Sequence, residues 1–422
     1  MRNLIRRICA RLQRHVLPHE TAFISFRPPG PQQGRVLLAH IVQAFIRGTP
    51  DSLRTSHNHF AEAVAIVDAL LELGYAVDVI SYRNTTFHPH IRYDLFISSR
   101  VNFELIAKRL PRETIKIVHL DTAHWLHNNA AALNRCLEVR RERHVALASY
   151  KLLEPTWAID SADYATLLGN EVTYETYRFG NTPVFQLPNP AVRLYPCPIN
   201  KDLGRVRHHF IWLGSRGFIQ KGLDLVLAAF ARMPEYRLTV CGPISQEPDF
   251  AKAFHKELYE TPNIRTHGWI DVGGHEFQQL ANECIGLIYP SCAEGAAGAV
   301  VTCMQAGLIP IISRESGIDI DESLGLMLGS FMHGSVTVES LMEATRRIAG
   351  QPADALKDMA VESWRIARST YSPENYKAVF TSIIRQIVAE HPVSTASGFV
   401  SMPTPHGSAT SSSLLKTDST GT

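Results

Sequence analysis

Apolar residues in this chain of 422 gather into short runs that alternate with stretches of helical spacing, and the alternation is gone through twice. In the first pass, Val36-Leu37-Leu38 opens an apolar segment at 34–46. Residues 60–73 carry a helical period that stops at Gly74, and 76–82 reads as the next strand. Short apolar runs at 93–98 and 114–120 continue the pattern. Strands alternating with helices predict parallel sheet covered on both faces, with ligands outside the carboxyl ends of the strands. Residues 183–199 contain five prolines and read as an interdomain linker rather than a core element. From about 203 to 369 the strand–helix pattern returns, and 372–390 is one last helix. The final ~30 residues, rich in Ser, Thr, Gly and Pro, have the composition of a disordered tail.

Two segments of the second half carry chemistry. The first is Phe210-Ile211-Trp212-Leu213-Gly214-Ser215-Arg216-Gly217-Phe218-Ile219-Gln220-Lys221-Gly222, a strand and a glycine-punctuated loop, with a helix expected from Leu223 to Ala231. Its loop holds Arg216 and Lys221, five residues apart. Both can converge on a diphosphate, Arg as a planar fork and Lys as a point charge. The second follows the apolar run 285–289 and reads Pro290-Ser291-Cys292-Ala293-Glu294-Gly295-Ala296-Ala297-Gly298 before another apolar segment. Glu294 stands in a tight turn, and the amides of 295–298 lead into a helix N-terminus, which favours an anion. Phosphate of a nucleotide is the candidate ligand. Alone, the second segment is also an ordinary strand–turn–helix, and an Arg/Lys loop is ordinarily solvated surface. Two such crevices in one half point to a shared ligand.

These residues resemble the donor half of the retaining GT-B glycosyltransferases. The likeness is to the large family-4-like group with sucrose synthase-like and lipopolysaccharide mannosyltransferase-like enzymes. That family reads Gly-Arg-Leu-x-x-x-Lys-Gly in the first loop, where this chain has Ser215-Arg216-Gly217-Phe218-Ile219-Gln220-Lys221-Gly222. Its second signature is Pro-Ser-x-x-Glu-Gly, a second Glu eight residues after the first, then Met, Gly-Leu and Pro. Glu294, Gly295, Met304, Gly307, Leu308 and Pro310 match, the last after one extra residue, Ile309. The second Glu, which in the family grips the nucleotide ribose, is Thr302 here. A hydroxyl without charge makes a contact roughly half as strong.

The resemblance implies an α/β, GT-B architecture: two Rossmann-like domains facing across a cleft, with a C-terminal crossover helix. The expected parts are a basic segment 1–20, an acceptor domain 21–190, a linker 191–203, a nucleotide-sugar domain 204–371, a crossover helix 372–391 and a tail 392–422. It implies sugar transfer from a nucleotide-sugar to an acceptor hydroxyl with retention and without a metal. The acceptor would be a glycan or glycolipid in cell-envelope synthesis. Arg216 and Lys221 would hold the diphosphate and Glu294 the sugar hydroxyls. Gly214, Ser215, Gly295, Ala296, Gly298 and Thr302 would line the donor site. A His past a first-half strand would face the donor sugar. Here that is His119 or His124, and His124 is preferred because it lies further beyond the strand. The nucleotide-sugar is a co-substrate, so no cofactor is expected. The alternative is a non-catalytic nucleotide-sugar or carbohydrate-binding protein that kept the fold.

Other first-half candidates rest on residues alone. Ser56-His57-Asn58-His59 precedes the helix at 60–73, where its polar groups either cap the helix or face the cleft. Gly169-Asn170-Glu171-Val172-Thr173 and the loop with Asp319 are further cleft candidates. Asp319 and Asp321 have Asp-x-Asp spacing, but in a different loop from the usual metal site.

Composition narrows the class. Hydrophobic content of 45% and charged content of 19% are ordinary globular values, and a formal net charge of +2 gives no general attraction to nucleic acid. Seven Cys lack Cys-x-x-Cys spacing, which argues for a reducing, cytoplasmic setting and against a disulfide framework or structural zinc. Arg2, Arg6, Arg7, Arg11 and Arg14 alternate with Leu4, Ile5, Ile8, Leu12 and Val16 near helical spacing. Such a helix over 1–17 can lie peripherally on an anionic membrane. The alternatives are a helix packed on its own domain or a frayed tail.

Overall fold

The computed structural model describes residues 18–46, 58–148 and 151–391. The basic segment 1–17, Ser56, His57 and the tail 392–422 lie outside the described residues. The first sheet contains β1 (Phe23–Phe26), β2 (Gly34–His40), β3 (Tyr75–Ser81), β4 (Leu95–Ser99), β5 (Ile115–Leu120), β6 (Tyr164–Leu168) and β7 (Val184–Leu187). Their order is β1-β3-β2-β4-β5-β6-β7, and only β1, on the edge against β3, is antiparallel. The second sheet contains β8 (His209–Leu213), β9 (Arg237–Cys241), β10 (Ile264–Gly268), β11 (Gly286–Tyr289), β12 (Ile309–Ile312) and β13 (Leu326–Met327), all parallel. Its order, β10-β9-β8-β11-β12-β13, is that of a dinucleotide-binding Rossmann sheet.

Runs such as Val36-Leu37-Leu38-Ala39 and Leu287-Ile288-Tyr289 are buried throughout, as parallel strands covered on both faces require. The helix Leu223–Ala231 has the bounds expected from the sequence, while the first-half helix is Asn58–Glu72. The proline-rich stretch differs from its reading as a linker, because Val184–Leu187 is the last strand of the first sheet. Its prolines flank the strand at 183, 188 and 190 instead of interrupting it. Further on, Ala191 and Tyr195 are buried in the second domain's core.

The helix Pro373–Glu390, with Ser372 capping the amide of Asn375, leaves the second domain and packs on the first. Tyr376, Phe380, Ile383, Ile384 and Ile387 enter the same core as Val36, Val77 and Ile66. Cys241, Cys284, Cys292 and Cys303 are buried free thiols.

Candidate functional site

In the second sheet the strand order reverses between β8 and β11, and the loops after these two strands form a crevice there. They are the Arg216/Lys221 loop and the Glu294 loop. Gly222 lets them touch: its φ is 68°, and a Cβ there would lie 2.2 Å from the Pro290 carbonyl oxygen. Only glycine meets both demands without strain. Glu247, buried after β9, accepts from the amides of Gly217 and, at 3.4 Å, Phe218, and so pins the loop from behind. The Trp212 indole, stacked near Tyr289, donates to the Lys221 carbonyl at 3.3 Å.

Lys221 and Glu294 form an ion pair at 2.8 Å, with both side chains largely shielded. The Tyr289 hydroxyl donates to the same carboxylate oxygen at 2.8 Å and Ser291 at 3.3 Å. Burial pushes the Glu294 carboxyl up, but Lys221 and Lys151 and the hydrogen bonds outweigh it, so the group sits below its ordinary value. Burial and that carboxylate together push the Tyr289 phenol well up, which keeps it a neutral donor. Arg216 is exposed at the mouth of the crevice, within electrostatic reach of Glu247. The helix Gly298–Gln305 begins beside them with no side chain capping its first turn.

A cavity of about 570 Å³ occupies the space between this crevice and the first domain. Arg216, Lys221, Glu294, Gly214, Ser215, Ala296, Gly298 and Thr302 all line it. Two of the expected residues do not. Gly295 packs where a Cβ would meet the Asp121 carbonyl oxygen at 2.4 Å and that of Leu168 at 2.8 Å. Its own carbonyl accepts from Thr173 Oγ1 at 3.2 Å, so its smallness serves domain contact. His124 is likewise outside the cavity lining. Asp121 and Thr122 reach the cavity, but the turn into the helix Trp125–Arg143 carries His124 away from it, among the rings of Trp125, Tyr177 and Phe179.

His119 is also not a lining residue. It is buried, hydrogen-bonded through Nδ1 to Thr166 Oγ1 at 2.7 Å, and its Nε2 contacts Glu62. Glu62 further accepts from the Tyr376 hydroxyl at 3.4 Å and lies 3.6 Å from His40 Nε2, so it ties the crossover helix to the ends of β2 and β5. His40, Glu62 and His119 are also the described trio with metal-ligand chemistry, offering three atoms within 4.8 Å of one another. Among the described residues, the histidine facing the cavity is His59, 3.7 Å from the Asp121 carboxylate. Burial is the main influence on its imidazole and lowers its pKa, against the pull of Glu62 and Asp121.

Asn58 joins His59 in the wall and reaches across to the Pro190 carbonyl at 2.6 Å. Asn170 does act across the domains, donating to the Arg314 carbonyl and to Asp319 at 2.9 Å. Sequence reasoning missed Lys151, Gln246, Trp269 and Ile270 in the cavity lining. They come from separate loops whose nearness arises only on folding, and no local motif marks them.

No family model and no curated protein matches this sequence. Solved structures do resemble it. Sucrose-phosphate synthase from Thermosynechococcus elongatus aligns over 85% of this chain and 100% of its own, with TM-score 0.59 and 13% identity. HepE from Anabaena, solved with UDP and glucose, aligns over 84% of this chain and 100% of its own, with TM-score 0.51 and 11% identity. The fold is GT-B. S. aureus TarM is also similar, at TM-score 0.49 and 8% identity, and the chain spans about half its length, 55%. In GT-B terms, the cavity lies in the interdomain cleft, with Rossmann-sheet loops on one side and the start of the helix Asn58–Glu72 and the ends of β5 and β6 on the other.

Proposed function

We propose that this protein is a metal-independent, retaining glycosyltransferase that moves a sugar from a nucleotide-sugar to a hydroxyl of a glycan or glycolipid, at the cytoplasmic face of a cell envelope. One observation carries the reading. A fixed cation, Lys221, an exposed cation, Arg216, and an uncapped helix start line one cavity at the switch point of a Rossmann sheet, facing a second domain. The bound states of the GT-B neighbour HepE, UDP and glucose, are consistent with that chemistry.

In this reading the leaving diphosphate sits between Arg216, Lys221 and the amides at Gly298. Negative charge grows on it as the glycosidic bond breaks, and groups already aimed there lower the barrier because they need no reorganisation. Lys221 shares its charge with Glu294 in the empty site and turns towards phosphate when donor binds. The Glu294 carboxylate, still held by Tyr289 and Ser291, then accepts hydrogen bonds from sugar hydroxyls. Neutral His59 and Asp121 face the sugar from the first domain and take the place proposed from sequence for His124. Trp269 and Ile270 offer an apolar face to the base, and Thr302 contacts the ribose without charge. Domain closure over the cavity keeps water from the donor.

The test is calorimetric titration, without added metal, of UDP, GDP, ADP and dTDP and their sugars. The expected result is one nucleotide bound, with binding lost in Arg216→Ala, and slow release of free nucleotide from its sugar. Binding without any turnover would favour the non-catalytic reading that Thr302 raises. No binding by any of the four would remove the proposal.

A further inference from the structure

Beside the cavity the first domain carries a chain of aromatic rings, buried at its inner end and exposed at both outer ones. Trp157 is 58% exposed and Phe179 61%. They are linked through Trp125 and His124, with successive centroid distances of 6.2, 5.7 and 5.0 Å from Trp157 to Phe179. Tyr177 closes the inner edge, perpendicular to His124 at 5.4 Å.

We propose that this row of rings is a saccharide platform for the acceptor, taking the C–H faces of pyranose units and leading the chain's end to the cavity. The proposal rests on the glycosyltransferase reading for its role, though not for the binding itself.

Continuity with the cavity decides where the platform leads. The Tyr177 hydroxyl donates to the Thr122 carbonyl at 2.9 Å, and Thr122 lines the cavity. Ala123, next to His124, donates its amide to the Glu294 carbonyl at 3.1 Å. The rings therefore begin one residue from a contact with the donor loop.

Chemistry decides the occupant. A large exposed apolar surface marks a binding site, and aromatic rings with polar groups among them suit a ligand that is itself amphipathic. Here the polar groups are the His124 imidazole, its pKa lowered mainly by burial, with Asp160 and His127 within electrostatic reach. Arg178, nearby in sequence, is occupied by Glu175 and the Tyr174 ring. An anionic bilayer would call for a cluster of free cations instead. A sugar offers hydroxyls to such groups and axial hydrogens to the rings.

The experiment uses the full chain and its own tryptophans. Cellotetraose, maltotetraose and tetra-N-acetylchitotetraose are titrated against intrinsic fluorescence and by calorimetry. The variants are Trp157→Ala, Phe179→Ala and the conservative Trp157→Phe. At least one oligosaccharide is expected to shift the emission and bind, about tenfold more weakly in Trp157→Ala and close to normally in Trp157→Phe. UDP and GDP are titrated in parallel and bind all variants alike.

If none of the three sugars binds the wild type, or if binding is unchanged in the Trp157→Ala, Phe179→Ala double variant, the platform is refuted. Cosedimentation with phosphatidylglycerol vesicles that depends on Trp157, in place of sugar binding, would also overturn it in favour of a membrane contact. Sugar binding without nucleotide binding would keep the platform and sink the transferase reading. Nucleotide binding alone would do the reverse.

Discussion

At the residue scale the two cations proposed to hold the donor diphosphate, Arg216 and Lys221, differ in their environments. Lys221 is buried against Glu294, whereas Arg216 stands in solvent. Removing Lys221 leaves a shielded carboxylate without its main countercharge, a situation that typically costs about 3–5 kcal/mol. Lys221→Ala is therefore expected to lower both the melting temperature and the transfer rate. Arg216→Ala, at an exposed position, should lower the melting temperature less than Lys221→Ala does while losing two or more orders of magnitude in rate, on the order of 3 kcal/mol of transition-state stabilisation. Thermal melts and rates on the same preparations separate the two, and equal melting of both variants would contradict the burial argument.

Lys201 makes a second residue-scale case. Burial lowers its ammonium to about 8, and among the described residues Nζ has no hydrogen-bond partner. The folded value lies below the unfolded one, about 10.4, so the unfolded chain holds more protons between them and stability rises with pH across that window. Below about 8 the whole penalty is present, on the order of 3 kcal/mol. Lys201→Met should thus stabilise the protein at pH 7, and the gain should shrink as pH climbs from 8 towards 10.5. Denaturant melts at pH 7 and pH 10 measure it. A gain independent of pH would assign the effect to packing.

At the scale of elements, the crevice between the two loops of the second sheet was legible because each of its halves is one continuous strand–loop–helix. The helix Leu223–Ala231 could be read to its bounds, since a buried helix between a glycine cap and a polar turn leaves an uninterrupted apolar block. β7 was not legible: four residues between prolines carry too little pattern to outweigh the turn signals around them. The first-domain wall was half legible. His59 sits in a polar segment at a helix start and Asp121 in one at a strand end, both picked out from the sequence, yet whether His124 faced inward depended on how tightly the chain turned after β5. Spacing does not encode that turn. The Pro290 contact is the element-scale prediction. Gly222→Ala would place a Cβ 2.2 Å from a backbone oxygen at φ 68°, with no flexible side chain to yield. It should destabilise by at least about 2 kcal/mol and open the crevice. Urea melts check the first, and a weakened nucleotide titration the second.

On the scale of the whole molecule, polar contacts bind the two halves across the cleft. Gln220 donates to Asn128 at 2.9 Å, Asn189 to the Ala296 carbonyl at 2.6 Å, and Asn170 to Asp319 at 2.9 Å. The buried pair between Arg135 and Asp224, 2.6 Å apart, is the charged member of this set. Burial raises the Asp224 carboxyl despite the pull of Arg135, so desolvation outweighs the attraction. Removing the arginine leaves the desolvation alone. Arg135→Ala should cost about 3 kcal/mol at pH 7 and shift the scattering radius towards an opened form. Because the folded carboxyl then titrates above its unfolded value, the cost is present above the raised folded value. It fades as pH falls towards the ordinary carboxylate range. Adding Asp224→Asn to Arg135→Ala removes the charge without changing shape, and should recover most of the loss at pH 7. If the double variant melts no higher than the single one, the interface is held by shape and hydrogen bonds, and the ion pair contributes only orientation.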